Sequence, residues 1–303
     1  MNIDMSMTSL AKIRNRFHRQ SVRNKFREEE DVMRSRLTAI SLIACSLALV
    51  GAEARAQDEN VDLAKQLANP VSSLISVPFQ FNYDTGYGPA DGDRAFVNIQ
   101  PVIPFSLNES WNVISRTITP VILQDDIAGA SGTQFGVGDV TQSLFFSPSA
   151  PLETGLGNIT WGVGPVIGLP TGTDELLGTG KLSVGPTGVV LAQAGPWTYG
   201  ALANHLWSLA GPNGRADVSA TFLQPFISYT TPSAWTFSLN SESTYNWETE
   251  DWAIPVNLVV SKLTSIGAQK VQFQLGARYW VESPSSGPDG FGARAGAVFL
   301  FPR

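Results

Sequence analysis

Cysteine and long apolar runs, two features that would narrow the function quickly, are almost absent from the sequence. The 303 residues contain one cysteine, Cys45, which lies inside a short apolar run near the N-terminus. After residue 56 no stretch approaches the roughly 18 consecutive apolar residues that a membrane-spanning helix needs. A chain that loses residues 1–56 would therefore have no disulfide, no thiolate nucleophile and no cysteine ligand for a metal.

The N-terminal segment has the layout of a secretory signal peptide. Arg34 and Arg36 precede an uncharged run at 37–50, which ends before Ala54-Arg55-Ala56. The run is shorter than the roughly 20 residues that cross a bilayer as a helix. We therefore predict cleavage after Ala56, so that residues 1–56 are an N-terminal extension and signal peptide.

Two further interpretations of this segment depend on single residues. Met33 stands where such a signal would normally begin, which makes residues 1–32 an extension from a start codon placed too far upstream; the alternative is an unusually long charged n-region. Leu42-Ile43-Ala44-Cys45 has the residue types of a lipoprotein processing site. Cys45 lies within the apolar run rather than at its end, which disfavours lipidation.

Basic residues are scarce beyond the predicted cleavage site. The whole chain has 20 Lys and Arg and 26 Asp and Glu, and residues 1–56 hold 10 of the basic residues but only 6 of the acidic ones. The remainder thus carries a net charge of about −10 from its 10 basic and 20 acidic residues. Such a balance argues against nucleic-acid binding, which needs a basic face to displace counterions from phosphate.

The remainder of the chain alternates apolar and polar residues with the period of a β-strand. In 270–281, Phe273, Leu275 and Tyr279 share one parity, while glutamines and Arg278 share the other. The segment 235–247 alternates in the same way and has aromatic residues at both ends. One face of such strands suits lipid, the other suits a wet lumen, and the aromatic ends suit the two membrane interfaces.

Turn residues divide the chain into about twelve such strands. We predict strands near 72–83, 94–104, 111–123, 135–147, 158–169, 181–193, 197–209, 218–230, 235–247, 252–263, 270–281 and 290–301. Closure into a barrel is the arrangement that satisfies every backbone group of a strand inside lipid. The sequence therefore predicts an all-β fold, a closed antiparallel transmembrane β-barrel of about 12 strands in residues 71–303, located in the bacterial outer membrane.

The acidic residues predict which end of the barrel faces outward. They concentrate in the connectors that follow odd-numbered strands: Asp84, Asp91, Asp93, Asp125, Asp126, Asp174, Glu175, Asp217, Glu248, Glu250, Asp251, Glu282 and Asp289. The other connectors hold only Glu109 and Glu153. An even number of strands places both termini on the periplasmic side, so we expect the acidic connectors to face outward from the cell.

Residues 57–70 precede the first predicted strand. Asn60 is a candidate N-cap of a short helix in which Leu63 and Leu67 lie one turn apart, and Pro70 ends it. A small plug in the barrel mouth and a frayed periplasmic leader are both compatible with this pattern.

Several segments resemble a known family. They are NPVSSLISVPFQ at 69–80, VIPF at 102–105, GDVTQSLFFSP at 138–148, QPF at 224–226 and LGARYWVE at 275–282. They are similar to bacterial outer-membrane barrels grouped as transporters of the phenol-degradation meta pathway, whose members also carry the labels "transporter" and "neuromedin U". The resemblance implies an uptake-type barrel and brings no catalytic or ligand residue with it.

Candidate catalytic and metal sites are weak. His205, the only histidine after residue 56, shares its parity with Trp207, which favours interfacial packing over general-base catalysis, and Ser208 falls on the opposite face. The end of a phosphate loop is suggested by GTGK at 178–181, but Leu182 replaces the Ser or Thr that would hold magnesium, so we interpret it as a turn. We predict no enzyme activity, no cofactor and no metal, although acidic loops such as Glu248 to Asp251 can bind hard cations.

Charged residues on the polar parity are the candidates for lumen lining. Glu242, Arg278 and Arg294 lie there, and charges inside a pore determine which solutes pass. The leading hypothesis is a channel for passive or facilitated uptake of small molecules, with hydrophobic or aromatic ones suggested by the resemblance alone. A filled structural or surface-interaction barrel and a barrel lipid hydrolase or acyltransferase are the alternatives. Expected partners are outer-membrane lipid and lipopolysaccharide, a small-molecule solute and the outer-membrane assembly machinery.

Overall fold

The structure, a computed structural model, describes residues 57–301. The predicted signal peptide and N-terminal extension lie outside the described residues. A helix occupies 57–67, and all remaining regular structure apart from the short 3-10 turn Gly88–Ala90 is β-strand. None of the described helices is long and apolar enough to cross a membrane.

Sixteen strand segments make the sheet. They are β1 (Ile75–Tyr87), β2 (Gly92–Ile99), β3 (Val102–Ser106), β4 (Trp111–Asp125), β5 (Thr133–Val137), β6 (Val140–Pro148), β7 (Leu152–Thr154), β8 (Gly157–Leu169), β9 (Leu182–Ala194), β10 (Trp197–Ala210), β11 (Ser219–Thr230), β12 (Trp235–Ser241), β13 (Ser243–Asn246), β14 (Asp251–Ile266), β15 (Gln269–Glu282) and β16 (Gly290–Phe301).

The segments form one closed antiparallel barrel of twelve strands. β2 continues into β3, β5 continues into β6 and β7, and β12 continues into β13, because each of these sets pairs with the same neighbours. Closure comes from the first and last segments, which pair from Ile75 with Phe301 to Tyr83 with Ala293. The closed fold predicted from alternation is confirmed, and every predicted strand overlaps an observed one.

The predicted end of the first strand differs from the observed one because a glycine allows the pairing to continue. β1 runs to Tyr87 rather than to residue 83, because Gly86, at a φ of 75°, sits in a bulge after which pairing with β2 resumes. Asp84, predicted to be in a connector, therefore lies within β1, and only 1 % of its surface is exposed. This placement corrects its assignment to the outward loops: the carboxylate is inside the barrel.

The two faces of the wall differ as expected for a barrel in lipid. On β15, Leu275 is 71 % exposed on the outer face, whereas Gln272 is 4 % exposed on the inner face. Exposed aromatic residues gather at both ends of the wall. They are Trp111, Trp197, Trp235 and Phe301 at the end with the chain termini, and Trp207, Trp247, Trp252 and Phe291 at the other. Two such rings are typical of membrane interfaces, and they mark the chain as an outer-membrane barrel.

The two ends of the barrel differ in their connectors. We call the end that holds the first residue of β1 and the last of β16 the terminal mouth, and the opposite end the loop mouth. Turns at the terminal mouth have two to four residues, while connectors at the loop mouth reach twelve residues at 170–181. Acidic residues follow the same division: of those in connectors, only Glu109 is at the terminal mouth.

Candidate functional site

A cluster of paired charges lines one side of the lumen. Arg278 Nη1 donates to Asp84 Oδ2 at 2.8 Å, and its Nη2 donates to Glu242 Oε2 at 2.9 Å. Arg294 holds the same glutamate through Nη2 at 2.6 Å and Nη1 at 3.0 Å. Removing charges from water is costly unless each has partners, and here every guanidinium faces a carboxylate.

Strand register explains why these residues meet. Asn82 on β1 is directly opposite Arg294 on β16, and Asn257 on β14 is directly opposite Arg278 on β15. Both asparagines accept from the Nε of the arginine opposite, at 2.8 Å and 2.9 Å respectively. A Cβ on Gly292 would lie 2.4 Å from Asp84 Oδ1, so glycine leaves the space that this carboxylate occupies.

Of the three candidate lumen residues, Glu242 and Arg294 line a cavity inside the barrel, whereas Arg278 lines neither of the two cavities described below and is buried between Asp84 and Glu242. Glu242 lies between β12 and β13, where the strand is interrupted, and links the two arginines. Sequence reasoning placed the three residues on the polar parity, but it did not identify their pairing or include Asp84.

Two cavities occupy the lumen. The terminal-side cavity, of about 240 Å³, extends to the segment 64–72, and the loop-side cavity has a volume of about 350 Å³. Five residues line both cavities: Gln80, Gln100, Arg116, Gln224 and Glu242. We call these five residues the waist. The waist consists of three amides, one guanidinium and one carboxylate, so a solute passing between the cavities meets hydrogen-bonding groups.

Arg116 and Gln224 belong to the waist, although the sequence pattern did not assign them to a face. The inner face of β4 is mixed: Ile114 precedes Arg116 on the same parity and is 1 % exposed. Ile114 packs with Val71 and Phe145 in an apolar cluster on the inner wall near the terminal mouth. Alternation fails as a signal there because the inner wall is covered by chain rather than by water.

The segment 57–74 covers the terminal mouth from inside. Leu63 and Ala64 of the helix pack against inward-facing Leu263, Val298 and Leu300. Three hydrogen bonds from the barrel or to it accompany these: Lys270 Nζ donates to Asn60 Oδ1 at 2.7 Å, Gln193 Nε2 donates to Lys65 O at 2.9 Å, and Gln57 Nε2 donates to Pro232 O at 3.0 Å. Lys270 Nζ also lies 3.9 Å from the exposed carboxylate of Glu59.

The helix differs in one respect from the sequence prediction. Asn60 lies inside the helix rather than at its N-cap, since helical residues begin at 57 in the described part of the chain. Its side chain is turned to Lys270 instead of to the helix backbone.

The loop 170–181 folds over the loop mouth. Asp139, at the break between β5 and β6, accepts from Gly172 N at 3.0 Å, Thr179 N at 2.6 Å and Thr179 Oγ1 at 2.7 Å. Arg215 of the next loop donates to the carbonyls of Glu175, Gly178 and Thr179. We call Asp139, Arg215 and the loop atoms that they bind the latch.

Apolar and ionic contacts support the latch. Leu177 is buried, and the carbonyl of its neighbour Leu176 accepts from Gln124 Nε2 on the inner wall at 3.1 Å. Lys181 pairs with Asp217 at 3.0 Å, and this hydrogen bond lowers the pKa of the Asp217 carboxyl below its ordinary value. The segment GTGK at 178–181 is thus part of a folded loop.

His205 lies on the outer parity among aromatic rings. Its ring centroid is 4.0 Å from that of Trp207, and its Nδ1 is 2.7 Å from Thr221 Oγ1, which also accepts from Trp247 Nε1 at 2.9 Å. Within residues 57–301 no carboxylate contacts the ring, and Ser208 Oγ donates instead to Asp217. The described residues include no group of three or more His, Cys, Asp or Glu that could hold a metal.

Comparisons with known proteins place the fold. No family model matches the chain, and no curated protein matches its sequence. Among solved structures, an outer membrane channel from Pseudomonas putida F1 is 18% identical, with 76% of this chain and 96% of that chain covered and a TM-score of 0.55. At this identity the likeness shows the fold, that of an outer-membrane barrel.

More distant likenesses are with barrels of different activity. Outer membrane phospholipase A from Escherichia coli is 12% identical over 74% of this chain and 92% of its own, with a TM-score of 0.44. The KdgM porin is 12% identical over 75% of this chain and 99% of its own, with a TM-score of 0.38. Likenesses at these scores carry no argument about activity.

Proposed function

We propose that the chain is an outer-membrane channel for passive or facilitated uptake of small molecules. The observation that carries the proposal is the lumen itself: two cavities meet at a waist of polar side chains inside a closed barrel. A barrel of twelve strands is of intermediate size, between small barrels filled by side chains and wide porins. The paired arginines and Glu242 then act as fixed charges of the pathway.

The segment 57–74 acts, in this proposal, as a plug at the periplasmic mouth. Its helix contacts the inner wall largely through apolar side chains, and it forms part of the lining of the terminal-side cavity. The loop mouth then faces outward, and its acidic connectors meet lipopolysaccharide and the cations that bridge it.

The finer family assignment is also a proposal. Segments that resemble transporters of the phenol-degradation meta pathway supply residues to the lumen and the latch: Gln80, Asp139, Gln224 and Arg278. Their presence at these positions supports an uptake role related to that of the family, with hydrophobic or aromatic solutes as the first ones to test.

Single-channel recording in a planar bilayer tests the proposal. Residues 57–303 should open steadily, and a variant lacking residues 57–69 should give larger openings because the terminal mouth is then uncovered. Both proteins are first checked for folding by heat-modifiable gel migration. Silence from both folded proteins would overturn the channel and leave the second candidate, a filled structural barrel, which is favoured by the covering of both mouths.

A further inference from the structure

Arg116 is the charged group of the lumen that the ion-pair cluster leaves unpaired. Of the two arginines that line the cavities, Arg294 holds Glu242, whereas Arg116 has no carboxylate within ion-pair distance in the described residues. Glu242 is the one carboxylate that lines these cavities, and Arg278 and Arg294 already bind it. Arg116 therefore has no ion pair of its own, although Glu242 of the same waist attracts its charge over a longer distance.

Most of the hydrogen-bonding capacity of Arg116 is also unused. Its guanidinium has five N–H groups. One hydrogen bond, from Nη2 to Gln100 Oε1 at 2.9 Å, is made to the residues of the described chain. Within residues 57–301, the fully buried side-chain nitrogen and oxygen atoms that lack a hydrogen-bond partner are His205 Nε2 and Ser283 Oγ. No atom of Arg116 is among them, so the unused N–H groups of Arg116 are not enclosed by protein. They open onto the cavities that Arg116 lines.

The waist fixes the orientation of this guanidinium. Gln100 accepts from Arg116 and donates through Nε2 to Gln80 Oε1 at 3.1 Å, which forms a chain of side chains across β1, the β2–β3 junction and β4. Gln224, on the opposite wall, makes no side-chain hydrogen bond within the described residues and is free to bind a ligand. A guanidinium held from one side presents its remaining donors as a planar fork, which matches a carboxylate.

The loop-side cavity adds an apolar wall. Ile118, Leu206, Ala220 and Phe222 line it together with Arg116. Its volume of about 350 Å³ is at the small end of the range of ligand pockets. A ligand that satisfies this cavity has one negative end and a small apolar body.

We propose that Arg116 binds the carboxylate of a small organic monoanion at the waist, with the apolar part of the anion against Phe222, Ile118 and Leu206. This inference rests on the proposed uptake function and names its substrate class. The bound anion replaces water at the free donors of Arg116 and supplies the ion-pair partner that Arg116 lacks within the described residues. A neutral amide of the same shape keeps the apolar contacts and accepts one hydrogen bond from the guanidinium, but it brings no charge and no second acceptor oxygen to the fork.

Binding of two matched probes to the isolated protein in detergent tests the proposal. Fluorine NMR titrations compare 4-fluorobenzoate with 4-fluorobenzamide, which has the same ring and no charge. A hydrogen bond to a charged group stabilises by about 1.5–3 kcal/mol, so benzoate should bind the parent protein roughly tenfold or more tightly than the amide. If the parent protein binds the two probes with equal affinity, that result by itself overturns the proposal.

Variants locate the binding to Arg116. Arg116→Gln should reduce benzoate affinity to that of the amide, while Arg116→Lys should retain part of it because the charge remains and the fork is lost. Arg94→Gln is the matched control: Arg94 donates to Gln124 on the inner wall but lines neither cavity. An equal loss in Arg94→Gln would assign the effect to general lumen charge and overturn the site.

The same titration separates this inference from the channel. Benzoate binding that depends on Arg116 in a protein that never conducts would retain the site and overturn the channel. Steady conductance without such binding would retain the channel and overturn the site.

Discussion

The two mouths of the barrel are closed by opposite kinds of contact. At the terminal mouth, Leu63 and Ala64 of the helix pack on apolar side chains of the inner wall, and few polar contacts accompany them. At the loop mouth, Asp139 and Arg215 hold the loop 170–181 through hydrogen bonds to its backbone. Both closures are made by chain folded inward, but charge contributes less to the first, where the ion pair within the described residues joins Lys270 to the exposed Glu59 at 3.9 Å.

This difference has physical consequences for how each mouth can open. Apolar contacts are non-directional and hardly respond to pH or moderate salt, so the helix leaves only when something replaces its contacts or is forced between them. Charged hydrogen bonds depend on the protonation and screening of both partners, so the latch responds to the pH and salt of the solution at the loop mouth. The expected effects of single substitutions follow from that contrast.

A charge placed in the apolar contact should give the largest effect. Ala64 is 1 % exposed within the cluster that seals the terminal mouth. Ala64→Glu buries an unpaired carboxylate at a cost on the order of several kcal/mol, which the few contacts of one short helix do not offset. The helix should leave the lumen, and single-channel conductance should rise to the level of the variant lacking 57–69.

The control places the same charge on another face of the helix. Gln66→Glu adds an identical charge to the exposed side of the helix and should leave conductance as in the parent protein. A closed Ala64→Glu channel would mean that the apolar contacts do not hold the plug.

A substitution in the charge cluster, which lies between the two mouths, should lower the stability of the barrel rather than open a mouth. Glu242→Gln leaves Arg294 without a carboxylate and leaves Arg278 with Asp84 alone. Removing one member of a buried ion pair costs about 3 kcal/mol or more, so the urea midpoint of barrel unfolding should fall. Glu248→Gln, on an exposed connector, is the control, and equal midpoints for the two variants would contradict the assigned role of Glu242.

The latch should loosen by a smaller amount. Asp139→Asn keeps the shape of the side chain and removes its charge, which weakens three hydrogen bonds from Gly172 and Thr179. Replacing charge-assisted hydrogen bonds by neutral ones should lower the stability of the folded loop by about 1–3 kcal/mol. Hydrogen exchange of the Thr179 amide should accelerate accordingly. Glu175→Gln should leave it unchanged, because the Glu175 side chain, in the same loop, makes no hydrogen bond to the described residues. No change in Asp139→Asn would show that Arg215 alone holds the loop.

The two mouths also show which features of the molecule can be predicted from the sequence. The strands were predictable because alternation and turn residues are local: 235–247, for example, is observed as Trp235–Ser241 and Ser243–Asn246. The contacts that define the site are not local. Arg278 and Asp84 are separated by 194 positions, and their pairing depends on strand register around the closed barrel.

Asp84 and Arg116 were missed in the sequence for different physical reasons. Asp84 was predicted in an outward connector because the first strand was predicted to end at residue 83, whereas β1 continues to Tyr87 and the Asp84 side chain is buried against Arg278. Arg116 could not be given a face because Ile114, next to it on the inner wall, is covered by Val71 of the N-terminal segment. Alternation reports whether a side chain meets water, and it fails where the chain fills its own lumen.

The smallest effect concerns pH at the loop mouth. The hydrogen bond from Lys181 lowers the pKa of Asp217, so the ionised carboxylate stabilises the folded loop above the ordinary aspartate pKa. That contribution is lost as the pH falls from the ordinary value through the lowered one, and it is constant near neutrality. Lys181→Gln should raise the Asp217 midpoint, measured by carboxyl carbon NMR. The amides of Leu63 and Ala64 should show a smaller transition, since the contacts of these two side chains are apolar and Glu59, which pairs with Lys270, is exposed. A transition of equal size at both mouths would break the contrast between them.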